Sequence, residues 1–216
     1  MHARQRLVAA VLLLVGCAGP TLHLSYRPVW TQQYGNRAIV LFAVEDARPP
    51  VITHEQPPEW VGFVRSGFGI PYAVTTASRK PFASQVQEDL LVELKSLGFR
   101  ARSSPIRAGE ESSSLGRALD DPATSGLAVV IHEWRTDAYR SLDVAYRFDV
   151  RVIDAQGKVL ASEVVQREDT LRGTWGRERY EDAVEQAYAG AIRKVVREDG
   201  AVHAALAGQS AGGQPD

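Results

Sequence analysis

The chain of 216 residues holds one cysteine, Cys17, directly behind Leu14, Val15 and Gly16. A thiolate is the strongest nucleophile among the side chains, so covalent modification of that sulfur is the first chemistry the sequence offers. Other catalytic sets start and then fail. His132-Glu133 opens like the metal-binding helix of a zinc protease, but the fifth position is Thr136 rather than His. Arg65-Ser66-Gly67 lacks the first glycine of a nucleophile elbow. Gly67-Phe68-Gly69 is too short for a dinucleotide loop. His23, His54 and His203 have no paired metal spacing, and His132 reads as structural. No catalytic residue, metal or cofactor is therefore expected. Asp120-Asp121 before Pro122 reads as a turn, and Asp46 with Arg48 as a local pair fixing the exit of a strand. Trp60, Arg65, Phe68 and Tyr72 gather around a glycine-rich hairpin. Exposed together they would form a partner surface, since Trp, Tyr and Arg dominate binding hot spots; the alternative is burial under a helix layer.

The segment carrying the thiol has the build of a processing signal. His2, Arg4 and Arg6 make a basic start, and Leu7 to Val15 is apolar. That run is far below the roughly 20 residues of a membrane-spanning helix but suits a signal-peptide core. Leu14-Val15-Gly16-Cys17 resembles the bacterial lipobox. The resemblance implies a diacylglycerol on the Cys17 sulfur, cleavage between Gly16 and Cys17, and acylation of the new amine. Each buried acyl CH₂ contributes about 0.8 kcal/mol, so three chains hold essentially permanently. Asp after the cysteine is the usual inner-membrane retention signal in double-membrane bacteria. Ala18 stands there, which implies the outer membrane, with the domain facing the periplasm.

Removal of the signal takes away Arg4 and Arg6, leaving 23 basic against 26 acidic residues. With no basic excess, nucleic-acid binding has no electrostatic support. About 200 residues remain, enough for one domain with a proper core. Lipidation would consume the only thiol, so disulfides and cysteine-based metal sites are excluded.

Periodicity supplies the elements that must position these groups. Residues 17–36 read as a lipidated tether, with a short strand near Thr21 to Tyr26 and scattered aromatics Tyr26, Trp30 and Tyr34. Arg37 to Glu45 is a continuous apolar run, the mark of a strand covered on both faces. Pro49, Pro50, Pro57 and Pro58 predict a stiff, non-helical loop. Val61 to Val74 predicts a hairpin turning at Ser66-Gly67. Phe82, Val86, Leu90, Leu94 and Leu97 form one helical stripe behind Pro81 and ahead of Gly98. Gly126 to Tyr139 predicts a central strand. Leu142 to Ile153 alternates, with Asp143, Arg147, Asp149 and Arg151 facing water, and Lys158 to Glu168 returns beside it. Arg177 to Glu198 predicts the last helix, and 201–216 a disordered tail. The single domain over 37–200 is predicted to be α/β (α+β): a two-layer sandwich of a mostly antiparallel sheet with two amphipathic helices on one face.

Val44-Glu-Asp-Ala-Arg48, Val61-Gly-Phe-Val-Arg-Ser-Gly-Phe-Gly69 and Leu94-Lys-Ser-Leu-Gly-Phe99, behind a lipobox, are similar to the YajG-type bacterial lipoproteins. That resemblance implies an envelope lipoprotein without established catalytic residues. The expected role is a non-enzymatic binding or accessory module, attached to the membrane by its lipid and meeting an envelope protein partner. The alternatives are a structural subunit of an envelope transport or secretion assembly, and a cell-wall or lipid hydrolase. The hydrolase would require a cleft where a carboxylate meets His132.

Overall fold

The computed structural model describes residues 19–28, 36–173, 177–196 and 200–208. In chain order the elements are β1 (Thr21–Leu22), β2 (Ala38–Ala43), β3 (Glu45–Asp46), α1 (Pro49–Ile52), β4 (Trp60–Arg65), β5 (Pro71–Thr76), α2 (Phe82–Ser96), β6 (Arg100–Arg107), α3 (Ser112–Arg117), β7 (Ser125–Ala138), β8 (Leu142–Ile153), β9 (Val159–Leu171), α4 (Arg177–Val195) and α5 (Ala201–Ala207). The fold is mixed α/β around an open, curled sheet.

β7 is the spine. One edge pairs antiparallel with β8 along its whole length, and β9 continues antiparallel beyond. The other edge is shared by β2, β3 and β4 in succession, all parallel to β7. β6 adds parallel to β2, β5 antiparallel to β4, and β1 parallel to β5. The sheet is thus mixed, not mostly antiparallel. The reason lies in the connections: the chain that leaves β2 returns through the β4–β5 hairpin and α2 to lay β6 parallel beside β2, the long crossover that parallel neighbours require.

Helices also cover both faces, so the two-layer arrangement with helices on one face does not describe the fold. The large core lies on the face where Leu127, Val129, Ile131, Val144, Tyr146 and Phe148 meet α2, α4 and α5. On the opposite face Val40, Phe42, Ala128 and Ile153 pack with Leu115 and Leu119 at and after α3. This is what the unbroken apolar run of β2 demanded: Ile39 and Leu41 enter one core, Val40 and Phe42 the other.

α2 follows its stripe, with Phe82, Val86, Leu90 and Leu94 fully buried. It ends in a Schellman turn. Phe99 N donates to the Leu94 carbonyl at 3.1 Å, Gly98 N to Lys95 at 3.0 Å, and Gly98 takes a φ of 86°. Pro49 and Pro50 start the one-turn helix α1 rather than a loop, since the first helical turn needs no N–H donors. The chain past Gly200 forms α5 rather than a tail over 201–207. Val202, His203 and Leu206 are buried there, and His203 sits edge-on to Phe99 at 6.4 Å. Residues 209–216 lie outside the described residues.

Within the segment read as a tether over 17–36, the short strand expected near Thr21 to Tyr26 forms as β1. β1 seats Leu22 and Leu24 in the main core. Tyr26 packs against it and donates to Glu93 of α2, and Ser25 donates to Glu185 of α4. Trp30 and Tyr34 lie outside the described residues. Residues 21–26 are therefore part of the folded unit.

Between the helices, the Tyr188 hydroxyl donates to Asp89 at 2.6 Å and Gln85 donates to it at 3.0 Å. Burial pushes the Asp89 carboxyl above its usual range, against these hydrogen bonds, and Glu88 adds to the rise. Just above the ordinary carboxylate range, folded Asp89 keeps a proton that the unfolded chain has released. Its contribution to stability therefore falls as pH rises through that window. Asp89→Asn is expected to flatten the fall, keeping an acceptor for Tyr188 without a charge. Denaturant midpoints from acid to neutral pH check this; superimposable profiles would mean the carboxyl ionises without hindrance.

Candidate functional site

Leu14, Val15, Gly16 and Cys17 lie outside the described residues. The other predicted surface divides. Phe68 is 95% exposed, and Ile70 and Tyr72 are 54% and 50% exposed, all at the tip of the β4–β5 hairpin. Trp60 does not join them: it is 3% exposed. It opens β4, five residues and about 16 Å of strand before Arg65. Its ring lies edge-on to Phe63 at 5.3 Å, with the Arg48 guanidinium 5.8 Å away. Sequence proximity placed Trp60 with the tip; a strand carries its two ends to opposite sides of a domain.

The tip has a defined geometry. Ser66 Oγ accepts from Phe68 N at 3.3 Å and Ile70 N at 3.2 Å, and Gly69 takes a φ of 80°. Arg65 clamps the hairpin to β7 through two bonds to Asp137, at 2.8 and 2.6 Å. That carboxylate holds the Arg65 guanidinium above its usual pKa. Tyr139, from the β7–β8 turn, donates to the Gly67 carbonyl at 3.4 Å, and Arg140 lies over the Tyr139 ring at 5.4 Å.

A second feature lies on the outer sheet face, away from the main core. A cleft of about 390 Å³ opens between Pro49-Pro50 and β7. Arg48, Trp60 and Trp134 border it from the interior, with His132, Glu133, Arg135 and Arg147 around them. Beside it a depression of about 440 Å³ includes His132, Asp149, Arg151 and Ser162. His132 Nε2 sits 3.0 Å from an Asp149 carboxylate oxygen, both side chains partly exposed. Arg147 and Asp149 are 3.5 Å apart, and Arg135 and Glu133 3.8 Å. A carboxylate and His132 thus do meet at a cleft. The outward direction of Asp149 was legible from the β8 alternation. Its meeting with His132 was not, because a register shift between Ile131 and Glu133 displaces β7 against β8 there.

Asp46 and Arg48 form the local pair expected at the strand exit, and Arg48 is in addition fully buried. It is 1% exposed and binds Asp46 through Nε at 2.8 Å and a terminal nitrogen at 2.7 Å. Among the described residues, no group of three or more His, Cys, Asp or Glu is placed to hold a metal ion. Nor is any described helix long and apolar enough to cross a membrane.

No protein-family model and no curated protein matches the sequence. Solved structures resemble this one to different degrees. Protein XCC0632 from Xanthomonas campestris, of family DUF330, superposes at a TM-score of 0.57 with 12% identity, over 88% of this chain and 96% of that one. The PelC dodecamer of Paraburkholderia phytofirmans matches at 0.44 with 12% identity, over 80% and 91%. Lipoprotein B from Nitrosomonas europaea matches at 0.39 with 13% identity, over 84% and 95%. Of these three, the Xanthomonas protein is near enough to show a common fold, and at such identity a fold carries no activity with it.

Proposed function

We propose that this chain is an outer-membrane lipoprotein, acylated on Cys17, whose periplasmic domain is a non-enzymatic binding module. The lipobox-like Leu14-Val15-Gly16-Cys17, Ala18 after it, and the motifs similar to the YajG-type lipoproteins support the anchoring. The observation that carries the binding role is a cleft on the part of the outer sheet face that α3 leaves open. It measures about 390 Å³ and has tryptophan and proline walls and Arg135 and Arg147 at its rim. Such a cleft fits a partner segment that presents apolar side chains between acidic ones, with the aromatics giving contact area and the arginines orientation. A structural subunit of an envelope transport or secretion assembly would use the same surface.

The experiment combines anchor and cleft. Cys17→Ser is expected to abolish palmitate labelling and release the protein from the outer-membrane fraction. A photo-crosslinker at Arg147 in the lipidated protein is expected to give one discrete protein adduct in whole envelopes, lost with Arg135→Glu. Labelling that persists in Cys17→Ser would sink the anchor, and no adduct would sink the cleft. The hydrolase reading is favoured by the His132–Asp149 pair. It would prevail if a defined cell-wall or lipid substrate were turned over and His132→Ala abolished that turnover.

A further inference from the structure

The described chain begins at Gly19, which lies against the Ala73 carbonyl of β5. Thr75 N donates to the Pro20 carbonyl at 3.2 Å, and Thr21 pairs in parallel with Thr75. Followed backwards from Thr21, the chain therefore runs down β5 toward its beginning, which is the hairpin tip. Cys17 is two residues before Gly19, and two residues reach at most about 7 Å. Gly19, the first described residue, lies beside the stretch of β5 that leads to the pole carrying Phe68, Ile70 and Tyr72. Tyr139 and Arg140 stand at that pole too, beside the tip.

We propose that this hairpin tip is seated in the lipid leaflet that holds Cys17, an inference that rests on the lipidation proposed above. Phe68 and Ile70 enter the boundary between headgroups and acyl chains. Tyr72 and Tyr139 lie at headgroup depth, where an aromatic ring meets the acyl chains and its hydroxyl meets water. Arg140, whose guanidinium lies over the Tyr139 ring, takes lipid phosphate in the headgroups. Arg65 and Asp137 neutralise one another at the edge of the patch and keep the hairpin fixed to β7. Two features select lipid over a protein occupant. The patch is a narrow tip rather than a broad face, and the distance from Gly19 to the acylated residue is too short to carry the domain clear of the bilayer. The lipid supplies permanence and the wedge supplies orientation, directing the β8–β9 turn, at the far end of β8, away from the membrane.

The test uses the full lipidated chain carrying Phe68→Cys, labelled with an environment-sensitive fluorophore and reconstituted in phosphatidylethanolamine–phosphatidylglycerol vesicles. An acylated Cys17 cannot react, so intact mass should show both the acyl chains and a single label. The control is Gln156→Cys in the exposed β8–β9 turn. The label at position 68 is expected to shift to the blue and to be quenched by lipids brominated on their acyl chains; the label at 156 should do neither. Acylated protein with both labels equally in water would overturn the seating while leaving the anchor intact. A label at 68 that is in water in these vesicles but shielded in native envelopes would point to a protein occupant and likewise overturn it. A blue shift in detergent that grows with protein concentration would point to a second copy, with the same consequence. An unacylated, doubly labelled chain would remove both the anchor and this seating.

Discussion

Arg48→Met is expected to lower unfolding stability by about 3–5 kcal/mol, the usual result of removing one partner of a buried ion pair. Arg48 binds Asp46 twice, donates to the Trp60 carbonyl at 2.7 Å and to the Pro58 carbonyl at 3.1 Å. Its guanidinium also lies 4.9 Å from the Phe82 ring centre. One side chain thus ties β3, the loop before β4, β4 itself and the start of α2. Methionine fills much of the volume but leaves two carbonyls and a mostly buried carboxylate without their donor. The measurement is the urea midpoint, with an unchanged slope showing that the unfolded state is the same. Adding Asp46→Leu to Arg48→Met should recover part of the loss, because the stranded charge goes with it. A change below about 1 kcal/mol would mean that water reaches Asp46 and compensates.

Gly62→Ala is expected to be about as damaging, near 4 kcal/mol, from overpacking and backbone strain together. Gly62 has a φ of 153°, and a Cβ built there would come 2.1 Å from Thr136 Oγ1 and 2.3 Å from the Thr136 carbonyl oxygen. Thr136 is fully buried in the spine strand, and its hydroxyl donates to the Val61 carbonyl at 3.2 Å. β7 is held on both edges and cannot retreat, so β4 must. The Phe63–Asp137 and Val64–Ala138 pairing would then loosen, and with it the attachment of the hairpin. Early proteolytic cleavage between residues 62 and 72, together with the lowered urea midpoint, would report this. Gly67→Ala is the control: a Cβ there meets nothing within 4 Å, and stability should be unchanged. Equal midpoints for the two variants would refute the close approach.

Both predictions concern contacts that periodicity does not encode. The stripe of α2 and the alternation of β8 were legible because one buried face forces a repeat of 3.6 or 2 on the sequence. β8 keeps the residues expected, Leu142–Ile153, and α2 closes on Gly98-Phe99 as read. α5 was not legible. Val202, His203 and Leu206 make too few apolar positions among alanines to outweigh a tail-like composition, and their burial is supplied by the body they dock against. The short strand near Thr21 to Tyr26 was legible, but the seating of Leu22 and Leu24 in the main core is supplied by the body they dock against.

What the sequence by itself determined is the position of the single thiol behind an apolar run, the presence and type of most elements, and which face of each is apolar. The tertiary structure alone decided that β7 takes parallel neighbours on one edge and an antiparallel one on the other. It also turned Trp60 inward and Phe68 outward, and set Asp149 against His132. The physical reason is that apolar patterning records how much of a side chain leaves water. Which neighbour covers it is set by strand direction, by register and by bulges, and these follow from how the whole chain closes on itself.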